Sequence, residues 1–470
     1  GIPREVDAVA LDEYLVYGYV PAPRTIFKHV LKVPAAHTLT LERGTLTLRR
    51  YWELSFTPTC HDDEEVALER TRELIRDAVR VRLVSDVPLG AFLSGGVDSS
   101  VVVGFMSQLL SHPVKTFSIG FQEADFNELP YARRVAEYFG ADHHELIVGP
   151  DLVPSILPQL VWASDEPFGD SSMLPTYYVS KLAREHVTVA LSGDGGDEMF
   201  AGYTHYRRER MVSRIPRLAR QALGLGGRLM PDGIRGKQRL RNLTEALPLR
   251  YVRGMMLPRL GTRAGLYTPD HLASLDGHDP YARQTGEFAA VENLDVVTQM
   301  QYVDARNYLV DDILVKVDKA SMFTSLETRM PLLDQHLVEY VASLQPSFRM
   351  PGGSLKYLLK RVAAELVPPE ILTRRKQGFG MPVEHWIRKE LAEYTRAMLE
   401  SGRARQRGIF DPEFLSGLLD AHSRGRWVNH SRAIWSLLCL EVWFQTYLDA
   451  PVSPGALVRA ERVSHHERTD

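Results

Sequence analysis

The sequence of 470 residues is poor in cysteine, in net charge and in long apolar runs, and each shortage excludes a class of protein. Its two cysteines, Cys60 and Cys439, cannot form a disulfide framework or a four-thiolate zinc site, so we expect two inert apolar side chains. No apolar run reaches the roughly 18–20 residues that a membrane-spanning helix needs. The 56 basic and 59 acidic side chains nearly cancel, which disfavours a polybasic nucleic-acid-binding protein. We expect a cytoplasmic protein with no membrane or nucleic-acid partner.

An alternation of strand and helix patterns occupies the first half of the chain. We predict strands over residues 87–93, 116–119, 144–148 and 187–191, with amphipathic helices between them. This alternation is typical of an α/β fold with a doubly wound parallel sheet. Beyond residue 202 the sequence is mostly helical, through residues 296–317, 335–343, 356–365 and 431–447.

A short β segment precedes the alternating region. Strand patterns cover residues 28–33, 38–42 and 45–51, and Arg43-Gly44 predicts a tight turn between the last two. About 58 residues are too few to bury a good core alone. The segment is either a β-rich cap on the main domain or the end of a truncated N-terminal domain, and we favour the second interpretation.

The strongest chemical signal is a glycine-rich loop between a predicted strand and a helix start, residues 94–100 (SGGVDSS). Such a loop offers close backbone approach and helix N-terminal amides to an anion, which suits phosphate. It lacks the lysine of a Walker A loop and carries Asp98 instead, which indicates a divalent cation beside the phosphate. The alternative is a structural turn in which Asp98 caps the helix.

A second acidic glycine loop, residues 192–198 (SGDGGDE), follows another predicted strand. Ligands of doubly wound sheets bind beyond the carboxyl ends of the strands, where both loops would lie. Asp98 and Asp197 are therefore candidates for holding one Mg²⁺ on a pyrophosphate. The alternative is a turn-forming or calcium-binding loop, although EF-hand spacing is absent.

These loops, with residues 311–334 and the sequence RRKQGFGMP at 374–382, resemble asparagine synthetase of the glutamine-hydrolysing class. That family belongs to the PP-loop ATP pyrophosphatases, whose sheet is adenine-nucleotide-hydrolase-like. The resemblance implies a synthetase domain with C-terminal helices at 59–450, a C-terminal remnant of a glutaminase domain at 1–58, and a polar tail at 451–470. It also implies that ATP activates the aspartate side chain as β-aspartyl-AMP, which ammonia then converts to asparagine.

The resemblance assigns roles to individual residues. It places adenosine contacts at Leu93, Ile119, Ser192 and Gly193, and the pyrophosphate loop at Ser94, Gly95, Gly96, Asp98, Ser99 and Ser100. Asp194 occupies the place of a glutamate that assists acyl-adenylate formation in many members, and Lys356 that of a lysine that stabilises the α-phosphate. By spacing alone, the less favoured alternative for Lys356 is an ordinary solvated lysine on the helix at 356–365.

Three further patterns of charged residues were interpreted from the sequence. Asp312, Lys316 and Lys319 share one helical face, which the resemblance places at the floor of the active site. Glu327 and Arg329 would not face each other on a helix, so we interpret both as structural. The arginine-rich segment 207–241 is interpreted as a solvated helical face rather than a phosphate or nucleic-acid surface.

Family members of this class use an N-terminal cysteine to attack glutamine, and this chain begins with Gly1. We therefore expect this polypeptide not to hydrolyse glutamine, but to use ammonia directly. Two alternatives stay open. One is a related amidotransferase that adenylates another carboxylate, either β-lactam-forming or associated with polysaccharide or protein export. The other is a non-catalytic nucleotide-binding module. A homodimer is compatible with either.

Overall fold

The structure of the protein is a computed structural model. It describes residues 3–230, 237–255, 263–374, 378, 380–425 and 429–449. The strands are β1 (His37–Glu42), β2 (Thr45–Arg50), β3 (Leu89–Phe92), β4 (Lys115–Phe121), β5 (Asp142–Val148), β6 (Val189–Leu191) and β7 (Glu327–Arg329).

Helices make up most of the remainder. The first are α1 (Ala8–Tyr17), α2 (Glu64–Arg82), α3 (Val97–Leu109), α4 (Leu129–Phe139), α5 (Val153–Ser164), α6 (Met173–Arg184), α7 (Gly196–Met199), α8 (Thr204–Ser213), α9 (Arg217–Leu229), α10 (Lys237–Asn242), α11 (Leu247–Met255) and α12 (Arg263–Leu266). They are followed by α13 (Pro269–Ser274), α14 (Ala282–Glu287), α15 (Val296–Arg306), α16 (Val315–Phe323), α17 (Gln335–Ser343), α18 (Tyr357–Ala363), α19 (Pro369–Thr373), α20 (Val383–Arg388), α21 (Ala392–Leu399), α22 (Gly402–Gln406), α23 (Pro412–Arg424) and α24 (Ser431–Phe444).

Strands β3 to β7 form a parallel sheet in the order β5-β4-β3-β6-β7. Its two faces are covered by separate apolar cores. One contains Ile75 of α2 and Val101 of α3, and the other contains Leu160 of α5 and Tyr177 of α6. Helices on both faces of a parallel sheet confirm the predicted doubly wound α/β fold.

The chain order of the strands determines where a ligand can enter. From β3 the chain proceeds to β4 and β5 on one side, and it later returns to place β6 on the other side of β3. A crevice forms beyond the carboxyl ends of the strands at such a reversal. The loops at 94–100 and 192–198 leave β3 and β6, so the fold places both at that crevice.

The N-terminal region differs from the prediction in one strand and one helix. The hairpin of β1 and β2 is present, with Arg43 and Gly44 at positive φ in its turn. The predicted strand at 28–33 is wrong, because this stretch contains a turn at residues 28–29 and a single bridge between Leu31 and Arg24. The Thr25 hydroxyl donates to the carbonyls of Phe27 and Val30, and His29 adopts a φ of 64°.

Helix α1 was not predicted from the sequence. Asp7 caps it by accepting the backbone N–H groups of Val9 and Ala10, and Gly18 ends it at a φ of 89°. Leu11 and Tyr14 are buried in the second core together with residues of α24. Its apolar residues lie on most sides of the helix, so no amphipathic pattern marks it in the sequence.

Two predicted helical stretches are also different in detail. The helix predicted at 296–317 is divided at Asn307 (φ −122°, ψ −73°) and continues through a π-helical turn, Leu309–Leu314, into α16. Glu327 and Arg329 lie on β7 rather than on a helix, so they share a face, and Arg329 Nε donates to Glu327 Oε1 over 2.6 Å.

Some expectations concern the outer parts of the fold. The polar tail at 451–470 lies outside the described residues, and the domain boundary at residue 58 stays a prediction. Helices α8 to α10 carry the arginine-rich segment, in which Arg207, Arg214 and Arg217 are exposed. Over the part of the chain that the structure describes, no helix combines the length and the hydropathy that crossing a membrane requires.

The hydroxyl of Tyr14 donates to the carbonyl of Ser436 over 2.7 Å, which joins α1 to α24 inside the core. We expect Tyr14→Phe to lower the free energy of unfolding by about 1 kcal/mol, since it leaves a buried carbonyl without this donor. Urea denaturation measures the change. Tyr51→Phe is the matched control because Tyr51 is 68% exposed. Equal stability of both variants would show that α1 does not depend on this bond.

Candidate functional site

A cavity of about 390 Å³ opens at the carboxyl ends of β3 and β6. Its wall includes Leu93 after β3, Ile119 on β4 and both glycine-rich loops. Asp170, from the loop between α5 and α6, and Lys316 of α16 also line it. The cavity therefore lies where the strand order predicts a ligand.

The first glycine loop is shaped by contact with α4. Gly95 has a φ of +67°, and a Cβ there would lie 2.5 Å from the carbonyl carbon of Tyr131. Gly96 is the N-cap residue of α3 and has no side chain to occupy the helix amides. Ser94 and Ser99 are joined by their hydroxyls over 3.1 Å at the cavity wall. This loop presents backbone N–H groups, hydroxyls and a helix N-terminus to an anion.

The second loop packs directly on the first. A Cβ on Gly193 would lie 2.7 Å from the backbone nitrogen of Ser99 and 2.9 Å from Cβ of Asp98, so only glycine permits this approach. Ser192 Oγ donates to Asp194 Oδ2 over 2.7 Å, which orients that carboxylate at the cavity. The close packing holds Asp98 and Asp197 on the same side of the cavity.

Lys356 joins the two loops. It precedes α18 in a left-handed conformation (φ 54°), and only 7% of its surface is exposed. Its Nζ forms ion pairs with Asp98 Oδ2 and, over 2.8 Å, with Asp197 Oδ1. Burial disfavours the charged ammonium, but the attraction of Asp197 and Asp98 outweighs it and raises the pKa of Lys356 above its ordinary value. The interpretation of Lys356 as a solvated helix residue is therefore wrong.

A second, largely buried ion pair lines the same cavity. Lys316 Nζ donates to Asp170 Oδ2 over 3.0 Å, and Ser172 donates to the same carboxylate through its N–H and its hydroxyl. Burial opposes ionisation of Asp170, yet Lys316 and Ser172 lower its pKa to about 2. Beside this pair, burial raises the pKa of Asp312 well above its ordinary value, and Asp170 adds to the shift.

Aromatic side chains close the wall between the two ion pairs. Tyr203 donates its hydroxyl to the Glu198 carboxylate, and both residues line the cavity together with Tyr308. Burial, with the charge of Glu198, raises the pKa of Tyr203 well above its ordinary value. Both phenols therefore stay protonated, because burial likewise raises the pKa of Tyr308. The one hydroxyl hydrogen of Tyr203 is used on Glu198.

The structure brings together nearly all of the residues predicted for the site. Those that line the cavity are Leu93, Ser94, Asp98, Ser99, Ile119, Ser192, Gly193, Asp194 and Asp197. Gly95, Gly96 and Ser100 lie behind this wall and shape the first loop, and Ser100 is fully buried. The roles of these residues in binding and catalysis stay predictions.

The predicted stripe of Asp312, Lys316 and Lys319 does not line the site as one face. Lys316 reaches the cavity, whereas Lys319 turns away and pairs with Asp165 over 2.5 Å. The π-helical turn before α16 changes the angular spacing of Asp312 from the residues that follow, which regular helical periodicity cannot anticipate.

Two contributors to the site were missed in the sequence. Asp170 has no motif around it that separates it from an ordinary loop aspartate. Arg374 was noted only as part of the RRKQGFGMP stretch. It donates to the Ser94 carbonyl over 3.1 Å, pairs with Glu128 and stacks 4.0 Å above the Tyr131 ring. Residues 375–377 and 379 of that stretch lie outside the described residues.

The donor set near the first loop suits a hard cation. Asp98 and Asp197 already hold one positive charge, the Lys356 ammonium, between them. Two carboxylates beside a phosphate-binding loop are the ligands by which Mg²⁺ is usually held, with phosphate oxygens and water completing its coordination. Among the described residues, no group of three or more histidine, cysteine, aspartate or glutamate side chains could hold a metal without such help.

Comparison with known proteins agrees with this geometry. Residues 70–445 match the family model of asparagine synthase, and residues 1–52 match that of a glutamine amidotransferase domain. Asparagine synthetase (glutamine-hydrolyzing) 1 of Bacillus subtilis is 32% identical, over 96% of this chain and 71% of the relative.

Two other relatives show the breadth of the group. A putative asparagine synthetase of Mycobacterium tuberculosis is 32% identical over 97% of this chain and 70% of its own length. Amidase chyE of Penicillium rubens is 25% identical over 83% of this chain and 64% of its own length.

The resemblance inferred from the sequence motifs is confirmed. The chain belongs to the asparagine synthetase family of ATP-dependent, glutamine-hydrolysing carbon–nitrogen ligases.

Proposed function

We propose that this protein converts aspartate to asparagine through a β-aspartyl-AMP intermediate. The proposal rests on one observation: the glycine-rich loop, Asp98 and Asp197 line the same cavity as the Asp170–Lys316 pair, and Lys356 pairs with both of these carboxylates. We assign the part of the wall around the glycine-rich loop to the ATP phosphates. We assign the part around the Asp170–Lys316 pair, which we call the acceptor end, to an amino-acid acceptor.

In the first step, a side-chain oxygen of the acceptor attacks the α-phosphorus of ATP, and pyrophosphate leaves. Leu93, Ile119, Ser192 and Gly193 contact the adenosine, while the loop amides and hydroxyls hold the departing pyrophosphate. We assign to Lys356 the stabilisation of the five-coordinate phosphorus by its fixed charge. When Mg²⁺ is bound by Asp98 and Asp197, it neutralises charge on the pyrophosphate.

In the second step, ammonia attacks the activated carbonyl carbon, loses a proton, and displaces AMP. Asp194 is held at the cavity wall by Ser192, near the place where the acyl-adenylate forms. We assign it the assisting role that a glutamate has in related enzymes, with Lys316 as a nearby positive charge. Tyr203 and Tyr308 restrict access of water to the intermediate.

A different acceptor is the main competing proposal, and the similarity to an amidase supports it. A non-catalytic nucleotide-binding module is less well supported. A glycine-rich loop alone can bind a nucleotide, so binding does not require the two carboxylates and the buried lysine. Cytoplasmic location, absence of a nucleic-acid partner and homodimer formation stay predictions.

The acceptor can be identified by incubating the full chain with ATP, Mg²⁺ and ammonium in the presence of single carboxylates. Aspartate, glutamate, succinate and a β-amino acid form a suitable set. We expect pyrophosphate release to depend on aspartate and asparagine to accumulate in equal amount. If pyrophosphate were released with another carboxylate but not with aspartate, that carboxylate would replace aspartate as the acceptor. If none of the carboxylates caused release, the proposed function would be contradicted.

Asp98→Ala is expected to lower aspartate-dependent exchange between ATP and labelled pyrophosphate by at least about 100-fold, because the pyrophosphate and its cation lose a ligand. Circular dichroism checks that the variant folds. Asp86→Ala, which changes an exposed aspartate, is the control and should exchange normally. Normal exchange by Asp98→Ala would show that this carboxylate does not hold the cation.

Lys356→Gln is expected to reduce kcat for pyrophosphate release by about 10²–10³-fold, because a fixed positive charge is lost from the α-phosphate. Steady-state kinetics at saturating ATP and aspartate measure the loss. Lys319→Gln removes a lysine that pairs outside the cavity and should leave kcat within about twofold. If both variants lost activity equally, the effect would not come from the position of Lys356.

A further inference from the structure

The segment that follows α1, residues 18–32, contacts the loop that carries Asp170 and the π-helical turn that leads into α16, the helix of Lys316. We call it the linking segment. It lies within the residues that match the glutamine amidotransferase model, whereas this loop and this turn belong to the part that matches asparagine synthase. Its hydrogen bonds therefore connect the two parts of the chain.

The first set of bonds reaches the loop between α5 and α6. Glu166 accepts the Ile26 N–H at Oε1 over 2.7 Å, and its Oε2 pairs with Lys32 Nζ over 2.6 Å. Gly169 donates its N–H to the carbonyl of Gly18 over 2.6 Å. Asp170 follows Gly169 directly, so this set restrains the backbone that carries one partner of the ion pair.

The second set reaches the π-helical turn before α16. The Ala22 N–H donates to Asp311 Oδ2 over 3.0 Å, and Asp311 is only 9% exposed. Lys316, the other partner, lies in the first turn of α16. The linking segment therefore contacts the chain close to both Asp170 and Lys316.

Glu166 and Asp311 do not line the cavity among the residues described there. Both instead use their carboxylates on backbone amides of the linking segment, and Glu166 also uses the charge of Lys32. A hydrogen bond to a carboxylate is stronger than one between neutral groups and is sensitive to direction, so it can hold a loop in one place. Small displacements of a binding group have large effects on binding and rate.

We propose that Glu166 and Asp311 are positioning residues, which hold the Asp170–Lys316 pair in place for the acceptor. They do so by bonding the loop before α6 and the π-helical turn before α16 to the linking segment. The proposal rests on the proposed function, in which the acceptor occupies the acceptor end of the cavity. It predicts that changes in the linking segment alter acceptor binding without altering ATP binding.

The test compares the full chain with Glu166→Ala, Glu166→Gln and Asp165→Asn in aspartate-dependent pyrophosphate release with ammonium. For Glu166→Ala we expect the KM for aspartate to rise about tenfold while the KM for ATP stays within about twofold. Glu166→Gln keeps an oxygen for the Ile26 N–H and should restore most of the affinity. Asp165→Asn changes the neighbouring carboxylate, which pairs with Lys319 instead, and asparagine tolerates the positive φ at this residue.

Hydrogen–deuterium exchange gives a readout that needs no substrate. In Glu166→Ala we expect faster amide exchange than in Asp165→Asn, both in residues 165–173 and in residues 309–317. No hydrogen bond joins the second stretch to Glu166, but the charge of Glu166 acts directly on Asp311. Glu166→Gln lacks that charge as well, so faster exchange in this stretch in Glu166→Ala than in Glu166→Gln reports on the linking segment.

The outcomes separate the two proposals. A wild-type chain that shows no aspartate-dependent release contradicts the proposed function, and exchange in residues 309–317 then decides the positioning role by itself. Unchanged exchange in that stretch overturns the positioning role whatever the activity. Equal increases in KM for aspartate and for ATP also overturn it, because they indicate a general loss of structure.

Discussion

The pairing of Lys356 with Asp98 and Asp197 is the interaction on which the site depends. It connects the loop after β3, the loop after β6 and the start of α18, which are far apart in the chain. Two partly buried carboxylates that share one cation repel each other. The Lys356 ammonium between them offsets that repulsion.

A second ion pair on the cavity wall repeats this physical arrangement with different partners. Lys316 is buried against Asp170, and Ser172 satisfies the remaining acceptors of the carboxylate. One neighbouring acid, Asp312, has its pKa raised by burial while that of Asp170 is lowered to about 2. Environments that separate the pKa values of adjacent acids are typical of sites where charge changes during a reaction.

The fold and much of the site could be predicted because their signals are local. Short apolar runs alternating with helices indicated the parallel sheet, and glycines beside acids indicated the two loops. The misses have tertiary causes. Helix α1 is apolar on most sides because it is surrounded by the core, and the stretch at 28–33 is held in a turn by Thr25. The π-helical turn changed the angular position of Asp312 relative to α16, and Lys319 pairs with Asp165 instead of facing the cavity. Asp170 acquires its role only from Lys316.

The amino-acid sequence by itself determined the fold class, the family and the identity of the residues at the two glycine loops. Each of these follows from residue types at short spacing, which propensity and backbone geometry translate directly into structure. Only the tertiary structure decided which charges are paired and buried. It also joined the segment after α1 to the loop of Asp170 and to the π-helical turn before Lys316. The reason is that the electrostatic state of a side chain depends on neighbours and burial, which here come from parts of the chain more than 100 residues apart.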